Sequence, residues 1–409
     1  MNLRSSLLSC VVFCALLLPV SICASGATPL PCLKGLSPTD SLVVATPGGE
    51  ILYQKNPDRE QVPASTLKLL TALTVFDYWG PSHRFVTELY SDQRRRLKIK
   101  GYGDPLLISE VLKELSQKLS GSLQNIDAIV VDNTYFSPTI EIPGRSRSTN
   151  PYDAPAGALC ANFNTVFYGR DARGRPTSLE PQTPMVPFAA EKIGHFRHTA
   201  GRYAFSQSPD DAALYVGELL RFFLHEEGRA EIKTVTLGRI SPEDHLLLRY
   251  QSRFTLEEIV QKMVAFSNNF IANQLILALG AARYGPPATL EKAQAALRDF
   301  CARTHGLETV RVVEGSGISK ENRLSAVSML VILDHFKPYR HLLNKMDGIR
   351  MKTGTLTGIA NRVGYISKDD GEPFSFALFL NGSGADSDRT VRCINDAIRT
   401  AQKRGDNPP

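Results

Sequence analysis

The order of segments along the chain points to an α+β fold: a five-stranded, mostly antiparallel sheet flanked by helices, broken by a large β-rich inserted region. Three observations carry this. A hairpin stands near the start, "SLVVAT" (41–46) and "ILYQK" (51–55) around the turn "PGGE". A three-strand meander stands near the end, "RMKTGTLTG", "ANRVGYISK" and "PFSFALFL" with the turn "DDGE". Between hairpin and meander, two strongly helical stretches enclose a long segment of different character.

The elements follow in order. Arg4, an apolar run from Leu7 to Ile22 and the small residues Ala24 to Ala27 read as a secretory leader over 1–27; an uncleaved anchor is the alternative. In "PASTLKLLTALTVFDYWG" (63–80), Pro63 and Gly80 frame a helix in the expected order. Apolar residues surround it almost completely, so it should be buried, with its exposed chemistry at the N-terminal end. The first part of the main domain is thus 28–86. The inserted region spans 87–251, with short strands at 128–133, 234–238 and 245–250, an irregular Pro-rich stretch over 137–187 and one helix near 212–225. The main domain resumes over 252–409. Thr255 and Glu258 form a capping box at the start of 255–282, "SNN" (267–269) interrupts that helical stretch, and a final helix carries Val391, Ile394, Ile398 and Ala401 on one face.

The 409 residues are 43 % hydrophobic and 22 % charged, ordinary for a globular protein of two or three domains with a sizeable core. The formal net charge of +6 falls by one when Arg4 leaves with the leader. The remaining excess suits an anionic surface or polymer, and hence peripheral association with a membrane or cell wall. "RRRLKIK" (94–100) has no interleaved aromatics and alternates like a half-exposed strand, so its charges read as a solvated sheet face and nucleic-acid binding has no support. Cys32, Cys160, Cys301 and Cys393 remain after the leader, widely spaced and without CxxC; one or two disulfides, or four buried thiols, fit equally. His195 and His198 lack a third ligand, so no metal and no cofactor are expected. "EGSGI" is not a nucleophile elbow, and neither a Walker loop nor GxGxxG is present.

Three short motifs carry chemistry. Ser65 is the only serine standing three residues before a lysine, Lys68. At a helix start these share a face, so the amine can reach the hydroxyl. Serine needs such a base, and lysine serves only when neutral, which requires burial or a nearby cation. A helix cap followed by a surface lysine is the plainer reading of this pair alone. Ser267-Asn268-Asn269 could project a hydroxyl and an amide from a helix junction into a cleft. Ser148-Thr149-Asn150 has the same S-x-N pattern but lies in a Pro-bounded loop. Lys352-Thr353-Gly354-Thr355 places a cation, two hydroxyls and a missing side chain on one strand. Gly354 would let a peptide backbone approach, and the cation and hydroxyls would hold its terminal carboxylate.

SxxK, SxN and KTG in this order are the signature of the penicillin-recognising serine enzymes. With "PASTLKLLTAL", "SNNFIANQL", "VEGSGISKENRLSA" and "MKTGTLTG", the chain resembles the D-alanyl-D-alanine carboxypeptidases of the penicillin-binding protein 4 type; "GYGDPLL" and "IVVDNTYFSP" resemble that family's inserted portion. The 202 residues from Ser65 to Ser267 favour this inserted-domain family over class A β-lactamases. The resemblance implies a β-lactamase/transpeptidase-like fold and an acyl-enzyme on Ser65 with Lys68 as base. It implies that Ser267 relays a proton to the leaving amine and Asn269 orients the substrate amide. Lys352, Thr353, Gly354 and Thr355 would bind substrate, and backbone N–H groups of Ser65 and Thr355 would form the oxyanion hole. The implied partners are peptidoglycan stem peptides, with β-lactams as covalent inhibitors, and the implied place is outside the cytoplasm. Asp132 and Phe136 resemble the place where the insert meets the stem peptide; an ordinary strand end is the other reading. Glu314 stands where the family usually has Asp, Gln274 where it usually has Glu, and "LLNKMDGIRM" replaces a Gly-rich segment. A β-lactamase on the same scaffold and a non-catalytic binder of D-Ala-D-Ala are the rival functions. The first needs an added deacylation base, and the second would be expected to have lost Ser65 or Lys68.

Overall fold

The computed structural model describes residues 35–119, 126–228, 232–367, 371–382 and 384–404; the leader and Cys32 lie outside them. The chain begins with β1 (Ser41–Ala45) and β2 (Ile51–Lys55), then α1 (Lys68–Trp79), β3 (Val86–Ser91), β4 (Arg96–Gly101), α2 (Ser109–Leu119) and β5 (Ala128–Asp132). It continues through β6 (Val166–Arg170), β7 (Pro176–Ser178), α3 (Pro187–Gly194), β8 (Gly201–Tyr203), α4 (Pro209–Glu226), β9 (Thr234–Leu237) and β10 (His245–Gln251). Helices α5 (Leu256–Ala265), α6 (Asn269–Tyr284), α7 (Leu290–Arg303) and α8 (Ala326–Phe336) follow. The chain then forms β11 (Lys345–Met346), β12 (Ile349–Leu356), β13 (Ile359–Ile366), β14 (Phe374–Phe379) and α9 (Ser387–Arg404).

The main sheet runs β11-β12-β13-β14-β1-β2, every neighbouring pair antiparallel. It joins the first hairpin to the last meander, since Ser41 pairs with Phe379 and Ala45 with Ser375. The sixth strand is the two-residue β11, too short to leave a periodic signal in the sequence. Alternation divides the sheet's residues between two cores. Val43, Val363, Ala377 and Phe379 pack toward α1, α6 and α8, while Leu42, Val44, Phe376 and Leu378 pack toward Val391, Ile394 and Ile398 of α9. Helix α1 is buried from Lys68 to Phe76, as its all-round apolar pattern requires. Thr255 and Glu258 complete both arms of the capping box on α5.

The inserted segment folds over a separate core, in which Leu89, Leu97, Ile99, Ile129 and Val131 meet Leu112, Leu115, Val216 and Leu219 of α2 and α4. Its main sheet, β10-β3-β4-β5-β9, is mixed, with β4–β5 and β5–β9 parallel; β7-β6-β8 form a second sheet. Three helices accompany these strands, where the sequence pattern suggested one. Parallel neighbours need crossovers, and α2 and α4 provide them. The basic run also differs from expectation. Lys98 is buried, 2.7 Å from Asp244, because the second face of β4 is covered by the loop that carries that carboxylate. Cys160 and Cys301 are buried free thiols, whereas Cys393 is disulfide-bonded. Among the described residues no helix is long and apolar enough to cross a membrane.

Candidate active site

Ser65 sits in a 3-10 turn, Ala64–Leu67, that runs straight into α1. The turn is built against β12 and the α7–α8 loop. A Cβ on Gly354 would lie 2.7 Å from Pro63 O, and one on Gly317 only 1.8 Å from Ala64 O. Gly354 therefore admits this chain's own backbone, where the sequence suggested a substrate's; the space is already filled by the turn that carries Ser65. Asn361 on β13 anchors the same turn, donating through Nδ2 to Val62 O at 2.8 Å and Pro63 O at 3.0 Å.

Lys68, fully buried, reaches three oxygens: Ser65 Oγ at 3.0 Å, Asn269 Oδ1 at 2.8 Å and Ser316 O at 2.7 Å. Burial, and then the neighbouring Lys352 ammonium, hold its amine well below the ordinary lysine value, while the Glu314 carboxylate acts in the opposite direction. Ser267 breaks the chain between α5 and α6 with a left-handed φ of 52°, an uncommon conformation for a non-glycine residue. Asn268 caps α6 by accepting from Ile271 N at 3.0 Å, so Asn269 starts that helix beside Lys68. Lys352 is 3 % exposed and donates to Ser267 Oγ and to Thr353 O, both at 2.9 Å. Burial, with help from Arg362, pushes it down to about 8.

The structure thus brings Ser65, Lys68, Ser267, Asn269, Lys352 and Gly354 to one cleft. Thr353 and Thr355 are exposed on the same strand. Beyond Arg350 the edge of β12 opposite β13 has no strand partner among the described residues, since β11 pairs only with Ile349 and Arg350. Asp132 and Phe136 stand elsewhere. Asp132 accepts from Thr134 N, Thr134 Oγ1 and Ile240 N, and Phe136 is buried against Gly103 near α6. They form an ordinary strand end. Residues of the insert that approach Asn269 are instead Ile142, Arg145, Tyr152, Ala154 and Ala156.

Two features of the site are visible in the sequence only as departures from the family pattern. Glu314, fully buried, accepts from Ser316 N, Ser316 Oγ, Gly317 N, Ser319 N and Asn322 Nδ2 at 2.6–3.3 Å; in sequence it stands out only as a Glu where the family usually has Asp. Gln274 both donates to Gly157 O (2.5 Å) and accepts from Gly157 N (3.3 Å), tying α6 to the insert. A glutamate there could only accept, leaving Gly157 O without a donor.

A serine–lysine pair at the head of a buried helix, faced by a lysine on a sheet-edge strand and by a serine between two helices, defines the fold and site of the penicillin-recognising enzymes. The family model described as D-Ala-D-Ala carboxypeptidase 3 (S13) matches residues 39–200, 194–348 and 339–402. This chain belongs to that family, and its enzyme class is D-Ala-D-Ala carboxypeptidase. It is 24 % identical to a D-alanyl-D-alanine carboxypeptidase of Actinomadura sp. (strain R39), over 93 % of this chain and 84 % of the relative. It is 22 % identical to the D-alanyl-D-alanine carboxypeptidase DacB of Haemophilus influenzae, over 81 % and 83 %. The crystal structure of penicillin-binding protein 4 from Haemophilus influenzae superposes with a TM-score of 0.70 at 18 % identity, over 91 % of this chain and 98 % of that one.

Proposed function

We propose that the protein is an exported serine D,D-carboxypeptidase that cleaves the D-Ala-D-Ala ends of peptidoglycan stem peptides through an acyl-enzyme on Ser65. The observation that carries this reading is the bonding of Lys68. A neutral amine has two N–H donors and one lone pair. Asn269 Oδ1 and Ser316 O can only accept, so they take both donors and leave the lone pair for the Ser65 hydroxyl 3.0 Å away.

In acylation the Ser65 O–H bond breaks and its proton passes to Lys68. Oγ bonds to the carbonyl carbon of the penultimate D-Ala, and the carbonyl's π pair moves onto its oxygen, toward backbone N–H groups of Ser65 and Thr355. As the tetrahedral intermediate collapses, the C–N bond breaks and the leaving amine takes up the proton through the Ser267 hydroxyl. Terminal D-Ala departs. Water then attacks the ester with Lys68 again as base, and the shortened peptide is released.

Lys352, when protonated, has a third N–H beyond those given to Ser267 and Thr353 O, and with the Thr353 and Thr355 hydroxyls it would hold the substrate's terminal carboxylate. Asn269, its oxygen engaged by Lys68, keeps Nδ2 to orient the substrate amide. β-Lactams, with a strained amide and a carboxylate in similar placement, would acylate the same serine. A structure of penicillin-binding protein 4 from Haemophilus influenzae holds a β-lactam, and a Bdellovibrio bacteriovorus endopeptidase has been captured acylated by penicillin G. The β-lactamase reading is disfavoured because Glu314, the carboxylate behind Lys68, is buried and fully engaged by five donors, so it is not placed to activate a deacylating water.

The test is mass spectrometry of products from uncross-linked and cross-linked peptidoglycan, treated with the purified mature protein. Loss of one D-Ala from pentapeptide stems is expected, and conversion of dimers to monomers would add endopeptidase action. Neither product from a correctly folded protein would overturn the proposal. N-terminal sequencing of secreted protein checks export: a start near residue 28 is expected, and retention of Met1 would contradict it.

A further inference from the structure

The α7–α8 loop has no residue that would touch the substrate in this mechanism, yet it supplies one of the three oxygens on Lys68. That oxygen is Ser316 O. The same residue's N–H and hydroxyl both donate to Glu314 Oε2, at 2.7 and 2.6 Å. Glu314 Oε1 accepts from Gly317 N at 2.7 Å, Asn322 Nδ2 at 2.8 Å and Ser319 N at 3.3 Å. All five donors are neutral groups of the carboxylate's own loop. Among the described residues no Lys, Arg or His forms an ion pair with Glu314. The loop is pinned on its far side by Thr71 Oγ1 donating to Gly315 O (2.6 Å) and by Gly315 N donating to Asn273 Oδ1 (2.8 Å). The carboxylate therefore closes the loop around itself and presents Ser316 O to the amine at 2.7 Å.

From this geometry we infer that Glu314 is a positioning residue for Lys68: through Ser316 it aims the amine's lone pair at Ser65, and its buried charge stabilises the ammonium formed when Ser65 gives up its proton. The inference rests on the acyl-enzyme reading above. Its chemical logic is a balance. Burial and the Lys352 charge favour a neutral Lys68, and carried further they would leave an amine too weak to take a serine proton. A fixed anion behind the amine opposes them at the moment the proton arrives. The charged groups acting on Lys68 are Lys352 from β12 and Glu314 from the α7–α8 loop; its other neighbours, Ser65, Asn269 and Ser316 O, are neutral.

The experiment follows the rate of acylation by a chromogenic cephalosporin against pH for the mature wild type, Glu314→Gln and Glu314→Asp, with thermal unfolding as the check on folding. Lys68 must be neutral, so acylation rises with pH through its titration. Removing the anion destabilises the ammonium, and Glu314→Gln should move this acidic limb to lower pH by about one unit and lower the plateau. An acidic limb unmoved in folded Glu314→Gln would overturn the inference, since a purely structural loss lowers the rate at all pH values alike. Glu314→Asp keeps the charge on a shorter arm. Its limb should stay with the wild type while its plateau falls about tenfold, which corresponds to the ~1.4 kcal/mol of a spoiled hydrogen-bonded aim. Should Glu314→Gln not fold, Glu314→Asp decides: a lowered plateau with the limb unmoved and the thermal unfolding temperature unchanged supports the inference, and a wild-type plateau, or a loss that tracks a fall in thermal stability, overturns it. Absence of any acylation in the wild type would instead sink the acyl-enzyme reading, so the two failures are distinct.

Discussion

On the helical wall of the cleft, Lys68 is held by two oxygens that can only accept, Asn269 Oδ1 and Ser316 O, with Ser65 Oγ as its third neighbour. On the strand wall, Lys352 is held by one backbone carbonyl, that of Thr353, and by the Ser267 hydroxyl. Both lysines are buried and both are held below their ordinary value, Lys68 well below it and Lys352 down to about 8. Burial comes first for both; a second cation adds to it in each case, Lys352 on Lys68 and Arg362 on Lys352, and only Lys68 has a carboxylate, Glu314, acting in the opposite direction. The proposed mechanism asks opposite protonation states of these two identical side chains near neutral pH, one as base and one as anion holder.

The largest effect expected from breaking this comparison is on the helical wall. Lys68→Ala should lower D-Ala release from a D-Ala-D-Ala peptide by about 10⁴-fold, because removing the base of a nucleophile–base unit disables the unit. Near-normal turnover, measured by D-Ala assay, would remove Lys68 from the mechanism. On the strand wall the loss should be selective. Lys352→Ala should cost roughly 1.5–3 kcal/mol in kcat/KM for a free-acid peptide, the worth of a charge-assisted hydrogen bond, and much less for its C-terminal amide. Equal losses on both substrates would mean that Lys352 acts only on Lys68 or on packing.

The pH profile sharpens the comparison further. The base must be neutral, so kcat/KM rises with pH; the anion holder must be charged, so the rate falls as pH passes about 8, where Lys352 loses its proton. Lys352→Ala should remove that falling limb, and a profile of unchanged shape would contradict the assignment. The smallest effect is on stability. In the unfolded chain Lys352 regains the ordinary value near 10.5, so between about 8 and 10.5 the unfolded state binds more protons and folding gains as pH rises. The cost of burying this lysine is therefore complete below about 8 and relieved above it. Chemical denaturation should show the wild type gaining roughly 2 kcal/mol on Lys352→Met from pH 8 to pH 10. A constant difference would place the lysine's titration elsewhere.

How far sequence reaches into this structure depends on whether the signal is local. Ser65 and Lys68 are three residues apart at a helix start, and the Lys352 motif lies in an alternating strand, so spacing and pattern mark both as candidates without coordinates, while their roles come from the order of the three motifs and the resemblance it carries. The hairpin of β1 and β2 and the capped start of α5 are equally local. The parallel pairs of the insert are not, because β5 and β9 meet across a hundred residues of sequence with no turn to announce them. Lys98 looked solvated because its partner, Asp244, is equally distant. The role of Gly354 depended on which backbone would come close, and that was fixed by Pro63 on a different element. Glu314 was visible only as a departure from a resemblance; the five donors that give it meaning come from the loop's own folding.

The central claim is that Ser65 is a nucleophile activated by Lys68. It is tested most directly by incubating the mature protein with a fluorescent penicillin and locating the adduct by intact-protein and peptide mass spectrometry. The ring-opened leaving group stays tethered, and Glu314, the carboxylate behind Lys68 among the described residues, is engaged by five donors and not placed to activate water, so the ester should persist for minutes or longer. One label per chain is expected, on the peptide containing Ser65, with Ser65→Ala folded but unlabelled. A folded wild type that takes no label, or carries it on a residue other than Ser65, would contradict the account; rapid turnover without a lasting adduct would make the protein a β-lactamase instead.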